Sequence, residues 1–185
     1  MNNQIYIKDN ALSKEFCEKM IEEFHQNVWM QTPGQSTEGV DTSIKDSTDI
    51  SFYWNSTQDF FYVRSVLATE MIKWQEENPG LYNLQEWDVQ DGGNVQHYKP
   101  GGGYHHLHSE WSFHNEEHAK RIGAWMFFLN DIKEGGGTEF PQQDFIVEPK
   151  QGRLVLFPAY WTHLHKGQVA PNEDKYIITG WFGVT

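Results

Sequence analysis

The sequence has a single cysteine, Cys17, among 185 residues. An internal disulfide is therefore impossible, and zinc or iron–sulfur sites built from several thiolates are excluded. Cations are scarce too: 14 Lys and Arg stand against 26 Asp and Glu, a formal net charge of −12. Those few cations are scattered, which argues against a nucleic-acid partner, because phosphate neutralisation needs grouped Lys and Arg. No run of about 18 apolar residues is present, so no membrane-spanning helix is expected. The opening MNNQIYIKDN lacks the basic-then-apolar pattern of a secretory signal. A cytoplasmic protein without membrane or nucleic-acid partners is the expectation, and no internal repeat or low-complexity tract alters it.

What the chain does have is rings. Aromatic residues make up 15% of it, including eight tryptophans, within a hydrophobic content of 38%. This is a globular composition with a core of large side chains. The length suits one domain spanning 1–185 rather than two.

Two patterns divide that length. In NALSKEFCEKMIEEFHQN, Leu12, Phe16, Met20, Ile21 and Phe24 recur at helical spacing behind a Ser13 N-cap. A second helix fits STQDFFYVRSVLATEMIKWQEENPG, with Phe60, Val63, Leu67, Met71 and Trp74 as its apolar stripe and Pro79-Gly80 as its stop. The Thr-, Ser-, Gly- and Asp-rich stretch 31–50 between them reads as a long, mobile loop of the kind that covers a site. From about residue 84 the period changes to two. LQEWDVQ, NVQHYK, RIGAWMFFLN, DFIVEP, RLVLFPA and KYIITGWFGV read as strands separated by glycine-rich turns. Helices followed by uninterrupted short strands predict an α+β domain, with a helical brace over 1–80 and a sandwich or barrel core over 84–185.

Histidines crowd the segment YHHLHSEW, residues 104–111. His108 and Glu110 are two apart, so on a strand they project from one face. His163 and His165 in YWTHLHKG repeat that spacing far downstream. Two histidines and one carboxylate on one face of an octahedron leave three positions open, as at non-haem Fe(II) sites. The residues alone leave this metal site and an ordinary solvated pair equally open. His105, His106, His114 and His118 read as surface groups or as groups behind the ligands. Gly135-Gly136-Gly137-Thr138 lacks the lysine and following helix of a phosphate loop and reads as a turn. Trp125, Phe127 and Trp181 read as barrel-lining aromatics.

Taken in order, QHYKPGGGYHHLHSE, FFLNDIKEGGGTEF, VEPKQGRLVLFP, HKGQV and KYIITGW resemble the prolyl 4-hydroxylase-like branch of the iron(II)- and 2-oxoglutarate-dependent dioxygenases. NALSKEFCEKMI resembles the helix that precedes the barrel there, so the resemblance covers nearly the whole chain, in the style of compact phage and bacterial members. It implies a double-stranded β-helix (jelly roll, cupin-like) braced by the two N-terminal helices. It implies His108, Glu110 and His165 as iron ligands, with His163 the alternative distal ligand. Glu110 stands where the family usually has aspartate, and one extra residue separates Tyr104 from His108. His165 is preferred because Lys166-Gly167 follow it and Lys175, the expected anchor for the far carboxylate of 2-oxoglutarate, lies ten residues on. His163 and Trp181 are then expected on the substrate side, and Tyr98 and Thr179 near the cosubstrate. The resemblance implies Fe(II), 2-oxoglutarate and dioxygen, with ascorbate a further candidate cofactor. It implies hydroxylation of an unactivated C–H, first of a prolyl or other residue of a peptide or protein. Hydroxylation of a free amino acid or small molecule and a non-catalytic jelly-roll binding module are the alternatives. A hydrolytic zinc enzyme is disfavoured, because no additional general base is apparent beside the triad.

Overall fold

The structure is a computed structural model that describes residues 4–84, 86–113 and 115–185. His114 therefore lies outside the described residues. Helix α1 (Lys14–Gln26) starts where Ser13 Oγ accepts the Phe16 backbone N–H at 3.2 Å. Helix α2 (Gln58–Glu77) starts in the same way at Thr57, whose Oγ1 accepts from Phe60 N at 3.3 Å. Such caps satisfy a donor that the first helical turn otherwise leaves open. The buried stripe of α2 is Phe60, Val63, Leu67, Glu70 and Trp74, with Met71 packed at its margin. The acid within that stripe is matched: Glu70 accepts from Tyr6 Oη at 2.6 Å and from Lys73 Nζ at 2.8 Å.

Eleven strands form two antiparallel sheets among the described residues. The larger contains β1 (Tyr6–Lys8), β9 (Leu154–Pro158), β6 (Arg121–Phe128), β11 (Lys175–Val184), β5 (Gly93–Tyr98), β3 (Thr48–Phe52) and β2 (Thr32–Pro33) in that order, with β4 (Trp87–Val89) also paired to β11. The smaller orders β10 (Lys166–Gly167), β7 (Thr138–Phe140) and β8 (Phe145–Val147). Strand β6 shows how the layers stack. Trp125 and Phe127 join α1, α2, Leu154, Leu156, Ile178 and Phe182 in one apolar cluster on the helix side. Ala124, Met126 and Phe128 point the other way, joining Val155, Phe157 and Ile177 against Phe140 and Val147 of the smaller sheet. With both faces covered, all eight residues of β6 are buried. Each fully buried aromatic such as Phe127 contributes about 1.5–3 kcal/mol of transfer free energy. Two sheets closing over an inner layer, with helices outside the larger, make a double-stranded β-helix of the α+β class.

Several expectations need correction. Phe127 is a core residue that packs under the helices rather than between the sheets, whereas Trp125 joins the same cluster and also reaches the wall of the inner cavity. Strands β1, β2 and β3, all within the first 80 residues, belong to the larger sheet, so the sheet does not begin at residue 84. The 31–50 stretch is no simple loop. It carries β2, the start of β3 and a pairing of Lys45 with Tyr104. Its polar composition concealed this, and β3 and Lys45 find further partners, β5 and Tyr104, far along the chain. Within it Lys45 Nζ donates to Asp49 Oδ2 at 2.6 Å, and Ser47 Oγ to Oδ1 at 2.7 Å, both carboxylate oxygens being held in a buried setting. Strand β7, in the stretch read as a turn, is new as well. Before it, Gly135 and Gly136 adopt φ of 68° and 70°, and a Cβ on Gly135 would lie 2.1 Å from the Val169 carbonyl oxygen. That is turn geometry only glycine accepts readily, and it leads into a strand rather than a helix.

Candidate metal centre

Neither histidine pair lies on a long strand. Residues 161–163 form a 3-10 turn, and His108 and His165 meet through an isolated antiparallel bridge. Each backbone N–H donates to the other's carbonyl at 3.0 Å. The bridge joins two segments more than fifty residues apart in sequence and brings the rings to 4.3 Å between centroids. Glu110, two residues on, turns its carboxylate into the same space: Oε1 lies 3.2 Å from His165 Nε2 and 3.6 Å from His108 Nε2.

Which nitrogen faces the carboxylate follows from the other side of each ring. His108 Nδ1 sits 2.9 Å from the His106 carbonyl oxygen, and His165 Nδ1 sits 3.0 Å from that of His163. A carbonyl only accepts, so both Nδ1 atoms carry the proton. Each Nε2 therefore faces Glu110, where it can donate to the carboxylate when protonated or ligate a metal when not. Burial pushes the imidazole of His165 down, and His108 pushes it the same way. Burial by itself would raise the Glu110 carboxyl, but hydrogen bonds and charge from His108 and His165 outweigh it and hold the group well below the ordinary carboxylate range. Two Nε2 atoms and a carboxylate oxygen within 4.8 Å of one another form the one grouping among the described residues able to hold a metal ion. The donor set suits a divalent cation of borderline hardness, and backbone-held Nδ1–H groups are the usual way of orienting metal-ligating histidines. Aromatic walls fix the rings as well. Tyr104 stacks on His108 at 3.8 Å, while Phe140 and Phe157 flank His165 at 5.4 and 4.7 Å.

The site opens into a cavity of about 480 Å³ whose wall includes Tyr98, Tyr104, Lys175, Thr179 and Trp181. Lys175 is only 4% exposed, and no carboxylate pairs with it among the described residues. Burial pushes its ammonium down to about 7. Tyr98 and Phe128 lie 5.5 and 5.6 Å from Nζ, and the Tyr98 hydroxyl donates to Gln96 Oε1 at 2.8 Å. An isolated buried cation is costly, so this end of the cavity is prepared for an anion. The segment 31–50 forms part of the cavity wall, supplying Thr32, Lys45 and Asp49.

Of the residues singled out in the sequence, the structure brings His108, Glu110 and His165 together and sets Lys175, Tyr98 and Thr179 in the adjoining cavity. His163 is neither in the metal-capable group nor in the cavity wall. Its backbone carbonyl orients His165, and its own Nδ1 is 3.0 Å from Thr162 Oγ1. Trp181 lines the cavity, yet its indole N–H donates to Glu110 Oε2 at 2.6 Å. Sequence reasoning missed Arg121, which is 6% exposed and whose guanidinium lies 3.6 Å from the Trp181 ring centroid. A charged residue opening an otherwise apolar strand, RIGAWMFF, was the signal that could have found it.

A jelly roll carrying a two-histidine, one-carboxylate donor set beside a buried cation defines a candidate non-haem iron oxygenase. The sequence profile of the 2OG-Fe(II) oxygenase superfamily matches residues 93–183. The probable prolyl 4-hydroxylase 3 of Arabidopsis thaliana is 23% identical over 210 residues, covering 97% of this chain and 69% of that protein. The human prolyl 4-hydroxylase subunit alpha-1 is 29% identical over 107 residues, which is 54% of this chain but 18% of the subunit. Among solved structures, the viral collagen prolyl hydroxylase of Paramecium bursaria Chlorella virus-1, in its 2-oxoglutarate complex, superposes with a TM-score of 0.74 at 19% identity, covering 98% of this chain and 97% of the other. A Pseudomonas putida prolyl-4-hydroxylase gives 0.75 at 15% identity, covering 100% and 94%. The chain is thus similar to the 2-oxoglutarate- and iron(II)-dependent oxygenases over residues 93–183, and to prolyl 4-hydroxylases over most of its length.

Proposed function

We propose that the protein hydroxylates prolyl residues of a peptide, with His108, Glu110 and His165 holding Fe(II) and Lys175 holding 2-oxoglutarate. Residues 1–185 act in this reading as one oxygenase domain, and its setting is a reducing cytoplasm, which keeps iron ferrous. The observation that carries it is the convergence of two Nε2 atoms and Glu110 Oε1 beside a buried lysine with no carboxylate partner among the described residues. The prolyl peptide as substrate is supported by the relatives, which are prolyl hydroxylases by name. Bound iron, with 2-oxoglutarate and dioxygen, supplies the oxidising chemistry: substrate C–H becomes C–OH while the cosubstrate becomes succinate and carbon dioxide.

The protein's own groups bind, orient and shield. The His106 and His163 carbonyls keep both imidazoles in the tautomer that leaves Nε2 free for metal. Lys175 takes the distal carboxylate of the cosubstrate as an ammonium, with Tyr98 and Thr179 on the wall beside it. Phe140, Phe157 and Tyr104 exclude water from the ligands. The test is succinate release from 2-oxoglutarate with Fe(II) and a proline-containing peptide, with one added oxygen on proline located by mass spectrometry. Release that requires a free amino acid instead would move the substrate to the small-molecule class. Absence of both turnover and Fe(II)–2-oxoglutarate binding would leave a binding module.

A further inference from the structure

Glutamate reaches one methylene further than aspartate and has one more torsion to freeze, yet Glu110 presents a single oxygen to the two imidazoles. What restrains it lies behind it. Oε2 accepts from Trp181 Nε1 at 2.6 Å, the shortest contact of the carboxylate. Arg121 completes the clamp: Nη1 donates to the Glu110 backbone carbonyl at 3.2 Å and stands 3.9 Å from Oε2, while its guanidinium stacks 3.6 Å from the Trp181 ring centroid. The two clamping residues come from neighbouring strands, since Trp181 pairs with Ala124 and Gly183 with Arg121 across β11 and β6. They are therefore as fixed as the sheet itself.

We propose that Trp181 and Arg121 are positioning residues that tether the Glu110 carboxylate through Oε2, so that only Oε1 is offered to the metal. The inference rests on the oxygenase reading above and gives Trp181 a role other than substrate contact. Without the tether the longer arm swings over several rotamers, and each costs the site part of its preorganisation. Removing such an outer hydrogen bond lowers metal affinity by about 10–100-fold in comparable sites.

Anaerobic titration of the purified full chain with Co(II), followed by its visible d–d bands, tests this without turnover. The wild type is expected to bind one equivalent, and Trp181→Phe, which keeps the ring and loses the N–H, to bind at least about tenfold more weakly. In a Glu110→Ala background, where the histidines alone bind, Trp181→Phe should make no further difference. Arg121→Met provides a second variant, with a smaller loss that also vanishes in that background. Unchanged affinity of Trp181→Phe, or an equal loss with and without Glu110, overturns the tether while leaving the oxygenase reading intact. Failure of the wild type to bind Co(II) overturns both.

Discussion

Lys175→Met removes an ammonium that is 4% exposed and has no carboxylate partner among the described residues. Burial moves this lysine from 10.5 to about 7, roughly 3.5 units, and each unit corresponds to about 1.4 kcal/mol between the two protonation states. The ceiling on the cost of keeping it charged in the folded protein is therefore about 5 kcal/mol. The unfolded chain takes up its proton below about 10.5 and the folded one below about 7, so the folded state loses stability as pH falls across that window. At pH 7 and below the penalty is nearly complete. Methionine has similar reach and no charge, so the variant should be more stable than wild type at pH 7 by at least about 2 kcal/mol, allowing for imperfect packing. The gain should shrink toward zero at pH 10.5. Urea denaturation of both proteins from pH 6 to 10 measures it, and the difference between them isolates this group from other titrations. Addition of 2-oxoglutarate should stabilise the wild type at pH 7 and leave the variant unmoved, and wild-type affinity should fall as pH rises above 7 and the ammonium is lost. A variant that is less stable at every pH, or still binds 2-oxoglutarate, would refute the reasoning.

Other outcomes follow from the same geometry. Glu110→Gln should lose most Fe(II) affinity in equilibrium dialysis while retaining a near-wild-type melting temperature, because the shape is kept and the charge removed. Fe(II) affinity should also weaken in acid, over a range below the ordinary imidazole value because burial pushes His165 down, since that ring must be unprotonated to bind; a flat profile by titration calorimetry would contradict the ligand set. Lys45→Met strands Asp49 in a buried position, with an expected loss of about 3–5 kcal/mol by chemical denaturation and earlier proteolysis in the 31–50 segment. Tyr6→Phe leaves the buried Glu70 short of one donor and should cost about 1–3 kcal/mol.

The sequence made the periodic elements legible and the long-range ones obscure. Both large helices announced themselves through a cap and an apolar stripe, and Ser13 caps as expected. β6, β9 and β11 were visible as β-rich runs because the core covers both faces. β2, β3 and β7 were not, because they are short and polar or glycine-flanked, and β3 and β7 also depend on β5 and β10 further along the chain. At the site, the residue types were readable from spacing and resemblance, but the reason for their convergence was not. His108 and His165 meet through a two-residue bridge rather than on long strands, and no local pattern encodes that. The same applies to His163. Equal spacing suggested a ring facing the substrate, yet the 3-10 turn over 161–163 places its carbonyl, not its imidazole, at the site. The sequence marks Trp181 as a barrel aromatic on the substrate side, and no local pattern encodes its N–H donating to Glu110.

The ligand assignment stands or falls on an anaerobic titration of Fe(II) with 2-oxoglutarate, reading the visible charge-transfer absorption of the chelate in wild type, His165→Ala and His163→Ala. The band should form in the wild type and in His163→Ala and be lost in His165→Ala. A band that survives removal of the His165 ring and disappears with that of His163 would contradict the account.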